Sequence, residues 1–138
     1  MTVAHVPPDA VETFSFDWGT MKWMVTPVTI PGAANSQGEV IINPGQGHVT
    51  HQHDNADELI YVISGTGTQT VGDEEFAIAE GDTVYIPKAT PHSTMNSTWH
   101  TLRLLVTYTP GGEEQALTGL PDFHRHAAGE IVDWVRPS

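Results

Sequence analysis

The chain has 138 residues, a length that suits a single domain. Five Lys and Arg against 17 Asp and Glu give a formal net charge of −12. This balance disfavours a nucleic-acid binder and a protein that docks on an anionic membrane surface, because both need clustered basic residues. No apolar run approaches the about 20 residues of a membrane span.

Two further features of the composition limit the chemistry. Residues 1–10 are polar, include two prolines and lack the apolar core of a secretory signal, so we expect a cytoplasmic protein. The chain has no cysteine, which excludes disulfides, thiolate nucleophiles and Cys-ligated metals. We therefore expect a small-molecule ligand, with neither nucleic acid nor membrane as a partner.

The distribution of turn residues indicates an all-β fold. The 13 glycines and 10 prolines are spread along the chain, and short runs rich in Val, Ile, Thr and Tyr lie between them. Such spacing is typical of a sandwich or barrel. The predicted strands are, in chain order, residues 25–30, 39–43, 59–64, 66–71, 76–79, 83–86, 92–96 and 101–108.

One segment, residues 113–120, has helix signals. It follows Pro-Gly-Gly, carries acidic residues in its first turn and ends before a proline. Strands do not alternate with helices, which disfavours a βαβ fold. We expect one domain over residues 1–138, with an N-terminal arm (1–24), a β-barrel core (25–108) and a C-terminal helix and tail (109–138).

The most informative residues lie between the second and third predicted strands. His51 and His53 are two residues apart, so on a strand their imidazoles point to the same face. After a short polar loop comes Glu58, and if its side chain points inward, those of Ile60 and Val62 do so too. A buried carboxylate among apolar side chains is costly unless a cation compensates its charge.

His92, which follows a proline-bounded strand and a turn, is the natural fourth ligand. Three imidazoles and one carboxylate suit Fe, Mn, Ni, Cu, Co or Zn better than Mg or Ca, which prefer oxygen ligands. We predict one divalent transition metal per chain, held by His51, His53, Glu58 and His92. An octahedral ion with these four ligands keeps two open positions.

The first of these segments resembles the first sequence motif of the cupin superfamily. That motif runs Gly, five residues, His-x-His, three or four residues, Glu, six residues, Gly. It matches Gly45, His51, His53, Glu58 and Gly65.

The second segment is similar to the second cupin motif, with Gly81, Pro87, His92 and Asn96 at the matching positions. Ala89 stands where the family usually has glycine, which bears on the local turn because alanine tolerates a positive φ poorly. The resemblance implies a single-domain jelly-roll β-barrel with the metal deep in its mouth. It also implies an activity drawn from a family of oxygenases, lyases, decarboxylases, isomerases and non-catalytic binders.

Other histidines are weaker candidates. His48 precedes the first ligand by three residues, so strand parity places it on the opposite face, at the rim, with proton transfer as its less favoured role. His100 is expected in a loop. A second His-x-His, at His124 and His126, lies in a polar tail without matching ligands nearby, and we expect it to be exposed to solvent.

The sequence does not identify an acid or base. The weak candidates for catalysis are the remaining polar residues near the predicted pocket, each more simply explained as structural: Glu39, His48, Tyr61, Tyr85 and Arg103.

Three functions are consistent with these residues. The first is a metal-dependent enzyme acting on a small oxygen-rich molecule, with a lean towards a dioxygenase, because a positioned base is not evident and the metal can carry most of the chemistry. The second is a redox-neutral lyase, decarboxylase or isomerase of a sugar acid or hydroxy acid. The third is a small-ligand binder without turnover, and the fold does not choose among them.

Aromatic residues concentrate in the N-terminal arm and the C-terminal tail, and their apolar rings need a protein surface against which they can be buried. They either pack on their own barrel or cross to a second subunit. Since the family commonly dimerises and β-sandwich edges favour pairing, we predict a homodimer. The residues concerned are Phe14, Phe16, Trp18, Trp23 and Trp134.

Overall fold

The computed structural model describes residues 3–133, so Trp134 lies outside the described residues. Within them the fold is mainly β, with two short 3₁₀ helices at Pro8–Ala10 and Glu113–Gly119. The strands are β1 (Thr13–Phe16), β2 (Gly19–Val25), β3 (Ser36–Ile42), β4 (Gly47–His51), β5 (Asp57–Ser64), β6 (Thr66–Val71), β7 (Glu74–Ala79), β8 (Thr83–Ile86), β9 (His92–Met95), β10 (Leu102–Thr109) and β11 (His124–His126).

The strands form two sheets in a jelly-roll arrangement. The larger has the order β11-β1-β2-β3-β10-β5-β8 and the smaller the order β4-β9-β6-β7, with antiparallel pairing throughout. Their inner faces enclose one hydrophobic core. No helix within residues 3–133 is long and apolar enough to cross a membrane.

Alternating burial along the central strands fixes which side chains face the interior. On β10, Leu102, Leu104, Val106 and Tyr108 are buried, and the residues between them are more exposed. Strand β5 follows the same period, as predicted, because Glu58 is buried together with Ile60 and Val62. A one-residue shift of register would therefore move Glu58 out of the interior.

The N-terminal segment predicted as an arm contributes β1 and β2 to the larger sheet, next to β3. Phe16, Trp18 and Trp23 are buried in the core of the same chain, and β11 from the C-terminal tail pairs with β1. These aromatics therefore pack on their own sheet. The local sequence predicts short strands of this kind only weakly. The apolar surface that their large side chains bury decides how these strands pair.

The strand predicted at residues 25–30 is wrong. β2 ends at Val25, and a turn follows in which the Thr29 N–H donates to Thr26 Oγ1 at 3.0 Å and the Ile30 N–H to the Thr26 carbonyl at 2.9 Å. Pro27 cannot donate to a strand ladder, and the threonine hydroxyl offers the backbone a local partner instead.

Ala89 has a φ of 60°, the left-handed value that glycine adopts freely. Replacing Ala89→Gly is expected to raise the free energy of unfolding by about 0.5–1 kcal/mol and Tm by about 2–4 °C, because the αL strain exceeds the added backbone entropy of glycine. The hydrogen bond from the Ala89 N–H to the His53 carbonyl, 2.7 Å long, is kept. Thermal unfolding monitored by circular dichroism measures the effect.

The matched control is Ala77→Gly, at an exposed position of β7 with ordinary backbone angles. It is expected to lower Tm. If both substitutions shift Tm in the same direction, the turn at Ala89 is not strained.

Candidate metal centre

Four side chains converge at one point between the two sheets. His51, His53, Glu58 and His92 each present one ligand atom, and these atoms all lie within 4.8 Å of one another. The Nε2 atoms of His53 and His92 are each 3.2 Å from Glu58 Oε1. Glu58 and His92 are buried, and the other two are partly buried. The structure therefore brings together the four residues that the sequence singles out.

Strand pairing positions three of the four residues. His51, the last residue of β4, is opposite His92, the first residue of β9. Glu58 lies near the start of β5 and is paired with Tyr108 of β10. His53 lies beyond the end of β4, and its carbonyl accepts a hydrogen bond from the Ala89 N–H. The two motifs thus meet through backbone pairing as well as through side chains.

Hydrogen bonds to backbone carbonyls orient two of the imidazoles. The Nδ1–H of His51 donates to the Val49 carbonyl at 2.7 Å, and that of His92 to the Thr90 carbonyl at 2.9 Å. With the proton on Nδ1, the Nε2 lone pair points into the cluster, as in metal-bound histidines. His53 Nδ1 lies 3.6 Å from Glu113 Oε2, so a carboxylate backs the third ring.

Three atoms of this cluster test whether the residues fit a cation. Within the part of the chain that the structure describes, His53 Nε2, Glu58 Oε1 and His92 Nε2 are buried and have no hydrogen-bond partner. Their 3.2 Å separations lie in ion-pair range but lack hydrogen-bond geometry. Buried polar atoms without partners are costly, whereas one shared divalent cation would satisfy all three at once. The residues present therefore fit a metal ion.

The electrostatics favour the metal-binding protonation states of Glu58 and His51. Burial alone would raise the pKa of Glu58, but the facing rings of His53 and His92 lower it to about 2. Burial, followed by the neighbouring His48 and His92, lowers the pKa of His51 to about 3. At neutral pH the carboxylate is ionised and His51 is neutral, the states in which these groups bind metals.

The cluster borders a small cavity of about 30 Å³. Most of its lining is apolar, from Trp18 and Met21 through residues of β3, β5 and β10, and its polar groups besides the cluster are His48, Thr94 and Tyr108. The described residues that line it include neither lysine nor arginine. A cavity of this size holds roughly two or three water molecules, so it admits only a small ligand without rearrangement.

His48 lies in this cavity, which corrects the parity prediction. Its ring centroid is 4.0 Å from that of His51 and 5.1 Å from that of Trp18. His48 pairs with Thr94 and His51 pairs with His92. The interval between the two pairs is therefore three residues on β4 but two residues on β9. This β-bulge returns His48 to the inner face. Burial lowers the pKa of His48 to about 4, and the imidazole is therefore neutral at neutral pH.

The other four weak candidates lie away from the cavity. Arg103 donates to both carboxylate oxygens of Glu39 at 2.9 Å, and this pair bridges β10 and β3 on the outer face. Tyr61 and Tyr85 are 45% and 55% exposed. Their positions on the strands alternate with the buried ones, so these side chains point away from the cluster.

Two residues beside the cluster, Tyr108 and Glu113, were not predicted from the sequence. Tyr108 is buried with its ring 4.7 Å from that of His53, and Glu113 faces the other side of the same histidine. The alternation along β10 carries the signal for Tyr108. Glu113 carries none, since acidic residues in the first turn of a helix are common caps.

Asn96 of the second motif has a structural role. Asn96 is fully buried and donates to the carbonyls of Ile42 and His100, which closes the loop after β9.

His124 is exposed as predicted, but His126 is partly buried and its Nε2 lies 2.7 Å from Ser15 Oγ. The expectation that both histidines of the tail are exposed is therefore wrong for His126, because β11 pairs with β1.

The geometry and the two motifs agree with comparisons to known proteins. A family model described as a cupin domain matches residues 38–108, about half of the chain. The chain belongs to the cupin family. An uncharacterized protein of Methanocaldococcus jannaschii, MJ1618, is 31% identical over 99 residues, which are 71% of this cupin and 79% of the relative.

Solved structures support the same fold. A predicted oxalate decarboxylase of Thermotoga maritima matches with a TM-score of 0.67 at 17% identity, over 78% of this cupin and 99% of that chain. Bacillus subtilis oxalate decarboxylase, which has Mn(II) centres, matches with a TM-score of 0.69 at 23% identity, over 81% of this cupin but 31% of that chain. At these identities the likeness shows the fold alone.

Proposed function

We propose that this cupin is a metal-dependent enzyme acting on a small oxygen-rich organic molecule, with one divalent transition metal held by His51, His53, Glu58 and His92. The single observation that carries the proposal is the set of three buried ligand atoms without hydrogen-bond partners among the described residues, which face one another beside a small cavity. Their chemistry suits an ion of the Mn to Zn series.

The charge of the cavity limits the ligand. A divalent ion with the single carboxylate of Glu58 leaves one positive charge, and no lysine or arginine is present among the described lining residues. A monoanion is therefore favoured, because a neutral molecule or a dianion would leave an uncompensated charge in apolar surroundings. Small hydroxy and keto acids, ionised at neutral pH, have this charge.

A bound divalent metal supplies Lewis-acid chemistry and, if the ion is redox-active, reactivity with O2. The chain supplies the surroundings. Trp18, Met21 and their apolar neighbours exclude water, which strengthens every electrostatic interaction in the cavity. Burial raises the pKa of Tyr108 well above its usual range, so its hydroxyl stays protonated and can donate a hydrogen bond.

A dioxygenase remains our first proposal for the reaction. The apolar cavity suits O2, and metal-centred oxidation does not require a strong base. The second candidate is a redox-neutral decarboxylase, lyase or isomerase. It is favoured by His48, a neutral imidazole beside His51 that can accept a proton, and by the likeness in fold to oxalate decarboxylases.

Oxygen dependence separates the two candidates. Protein loaded with Fe(II) or with Mn(II) is incubated with a panel of small hydroxy and keto acids, in air and under strict anaerobiosis, and O2 uptake and products are measured. A dioxygenase consumes O2 only with its substrate. Turnover without O2 would contradict that reading, and unchanged recovery of a tightly bound ligand under both conditions would indicate a binder without turnover.

The variant His48→Asn sharpens the comparison. If His48 transfers a proton in a redox-neutral reaction, the substitution is expected to lower kcat by about 100-fold or more, with the metal content unchanged. The matched control is His100→Asn at an exposed loop position. Equal kcat in wild type and His48→Asn would remove His48 from the reaction.

A homodimer and a cytoplasmic location stay proposals. Light scattering at micromolar concentration tests the first, and a monomer would contradict it.

A further inference from the structure

The carboxylate of Glu113, at the start of the C-terminal 3₁₀ helix, lies on the outer side of His53. Its Oε2 atom is 3.6 Å from His53 Nδ1, while Nε2 of the same ring faces Glu58 Oε1 at 3.2 Å. The ring therefore lies between two carboxylates, one on each nitrogen. Within residues 3–133, Glu113 is the only carboxylate in ion-pair range of the outer nitrogen of a predicted ligand histidine.

The same carboxylate also holds the backbone of the loop that carries His53. This loop, residues 52–56, joins β4 to β5, and Glu58 follows it as the second residue of β5. The Asn55 N–H donates to Glu113 Oε1 at 3.2 Å. One side chain from the C-terminal helix thus contacts a ligand ring and the loop between two ligands.

Glu113 does not face the metal cavity. It is not among the described residues that line this cavity, and together with Asn55, Pro110 and Ala116 it lines a separate hollow of about 290 Å³. Its side chain is 19% exposed and that of His53 is 11% exposed, so water screens their interaction only in part. A substitution of Glu113 therefore leaves the groups that face a substrate in place and acts through His53.

A metal on Nε2 requires the remaining ring proton of each histidine to be on Nδ1, where an acceptor fixes it. His51 and His92 donate this proton to the carbonyls of Val49 and Thr90. For His53 the group in this place is the Glu113 carboxylate. The separation of 3.6 Å is longer than a hydrogen bond, so the attraction in this structure is electrostatic. A charged acceptor binds an N–H more strongly than a carbonyl does, and it makes Nε2 a better ligand.

We propose that Glu113 is a positioning residue of the metal centre, which keeps the His53 proton on Nδ1, directs Nε2 to the ion and raises the affinity for the metal. The inference rests on the proposed function, because it requires that the cluster holds a divalent ion. Glu113 lies beyond residue 108, where the match to the cupin family model ends, and outside both motifs. This contribution therefore comes from the C-terminal segment of this chain.

The first test measures the affinity of the metal-free full chain for Zn(II), by competition with a chromophoric chelator. Glu113→Gln is expected to weaken binding by about tenfold, because partners that orient ligand histidines typically contribute 10- to 100-fold, roughly, in metal affinity. The matched control is Glu130→Gln. Glu130 Oε1 is also 3.6 Å from the Nδ1 of a histidine, but that residue, His126, is not a ligand. The control is expected to leave the affinity unchanged.

The outcomes separate this inference from the proposed function. A wild-type protein that binds no Zn(II) would contradict both. Tight binding that is equal in the wild type and in Glu113→Gln would overturn the role of Glu113 alone, and so would a loss of affinity that Glu130→Gln shares. Thermal unfolding of the metal-free proteins by circular dichroism accompanies the titrations. A lower Tm with unchanged affinity would show that Glu113 only stabilises the fold.

The second test follows the imidazole Nδ1–H signals of the Zn(II)-loaded full chain by ¹⁵N-resolved NMR. In the wild type the His53 proton is expected farther downfield than those of His51 and His92, since its acceptor is charged. Glu113→Gln is expected to move the His53 signal upfield and to leave the other two in place, because their acceptors are backbone carbonyls.

A His53 signal that is the same in both proteins would overturn the proposal. If Glu113→Gln does not fold, the wild-type spectrum decides, because a His53 proton that is no farther downfield than those of His51 and His92 would show that no carboxylate accepts it.

Discussion

The double variant His51→Ala, His92→Ala is expected to lose its divalent transition metal, while the wild-type protein carries about one per chain. The two histidines are opposite each other on β4 and β9 and supply two of the four converging ligand atoms. Removing half of a ligand set lowers affinity by about 10⁴-fold or more. Elemental analysis of purified protein, before and after dialysis against a weak chelator, measures the change.

The control for this prediction uses two histidines outside the cluster. His100→Ala, His124→Ala removes the same number of imidazoles from exposed positions and is expected to keep the full metal content. Equal metal in the wild type and in the His51, His92 variant would show that these side chains do not hold the ion. Circular dichroism of each variant confirms that the fold is retained before the comparison is made.

The metal-free protein is expected to lose stability steeply as the pH falls from about 6.5 to about 4. Burial is the main cause that lowers the pKa of His48 from 6.5 to about 4 and that of His51 to about 3. In this window the unfolded chain binds protons that the folded chain excludes, so the free energy of unfolding falls with the pH. His48 alone accounts for about 3 kcal/mol.

Two other groups titrate outside that window. The pKa of Glu58 is lowered from 4.5 to about 2, so its contribution is present above 4.5 and is lost towards pH 2. The pKa of His92 is raised above 6.5 because Glu58 outweighs the effect of burial, so its contribution is complete below 6.5 and is lost at higher pH. Neither group reverses the fall in the free energy of unfolding that His48 and His51 produce as the pH is lowered from 6.5 to 4.

Urea unfolding in the presence of a chelator, at intervals between pH 7 and 4.5, measures this dependence. His48→Asn removes one of the two titrations and is expected to flatten the curve, whereas His100→Asn at an exposed position is expected to leave it unchanged. A stability that does not vary with pH in the wild type would mean that these histidines are not buried as neutral rings.

Spacing in the sequence predicted the four cluster residues because the pattern depends on local geometry. Side chains two apart on a strand share a face, and this rule holds for Glu58, Ile60 and Val62 on β5. The same rule failed for His48, because the bulge between His48 and His51 changes the parity. A bulge is decided by the partner strand β9, whose pairing with β4 is not visible in the sequence of β4.

The sequence by itself determined an all-β fold, most of its strands and the residues of the metal cluster. Turn residues and alternating apolar positions are local signals, and the two motifs keep their ligands at fixed spacing. Tertiary structure alone placed β1, β2 and β11 in the larger sheet and brought Tyr108 and Glu113 to His53. These contacts join segments far apart in the chain, and the burial of shared apolar surface selects them.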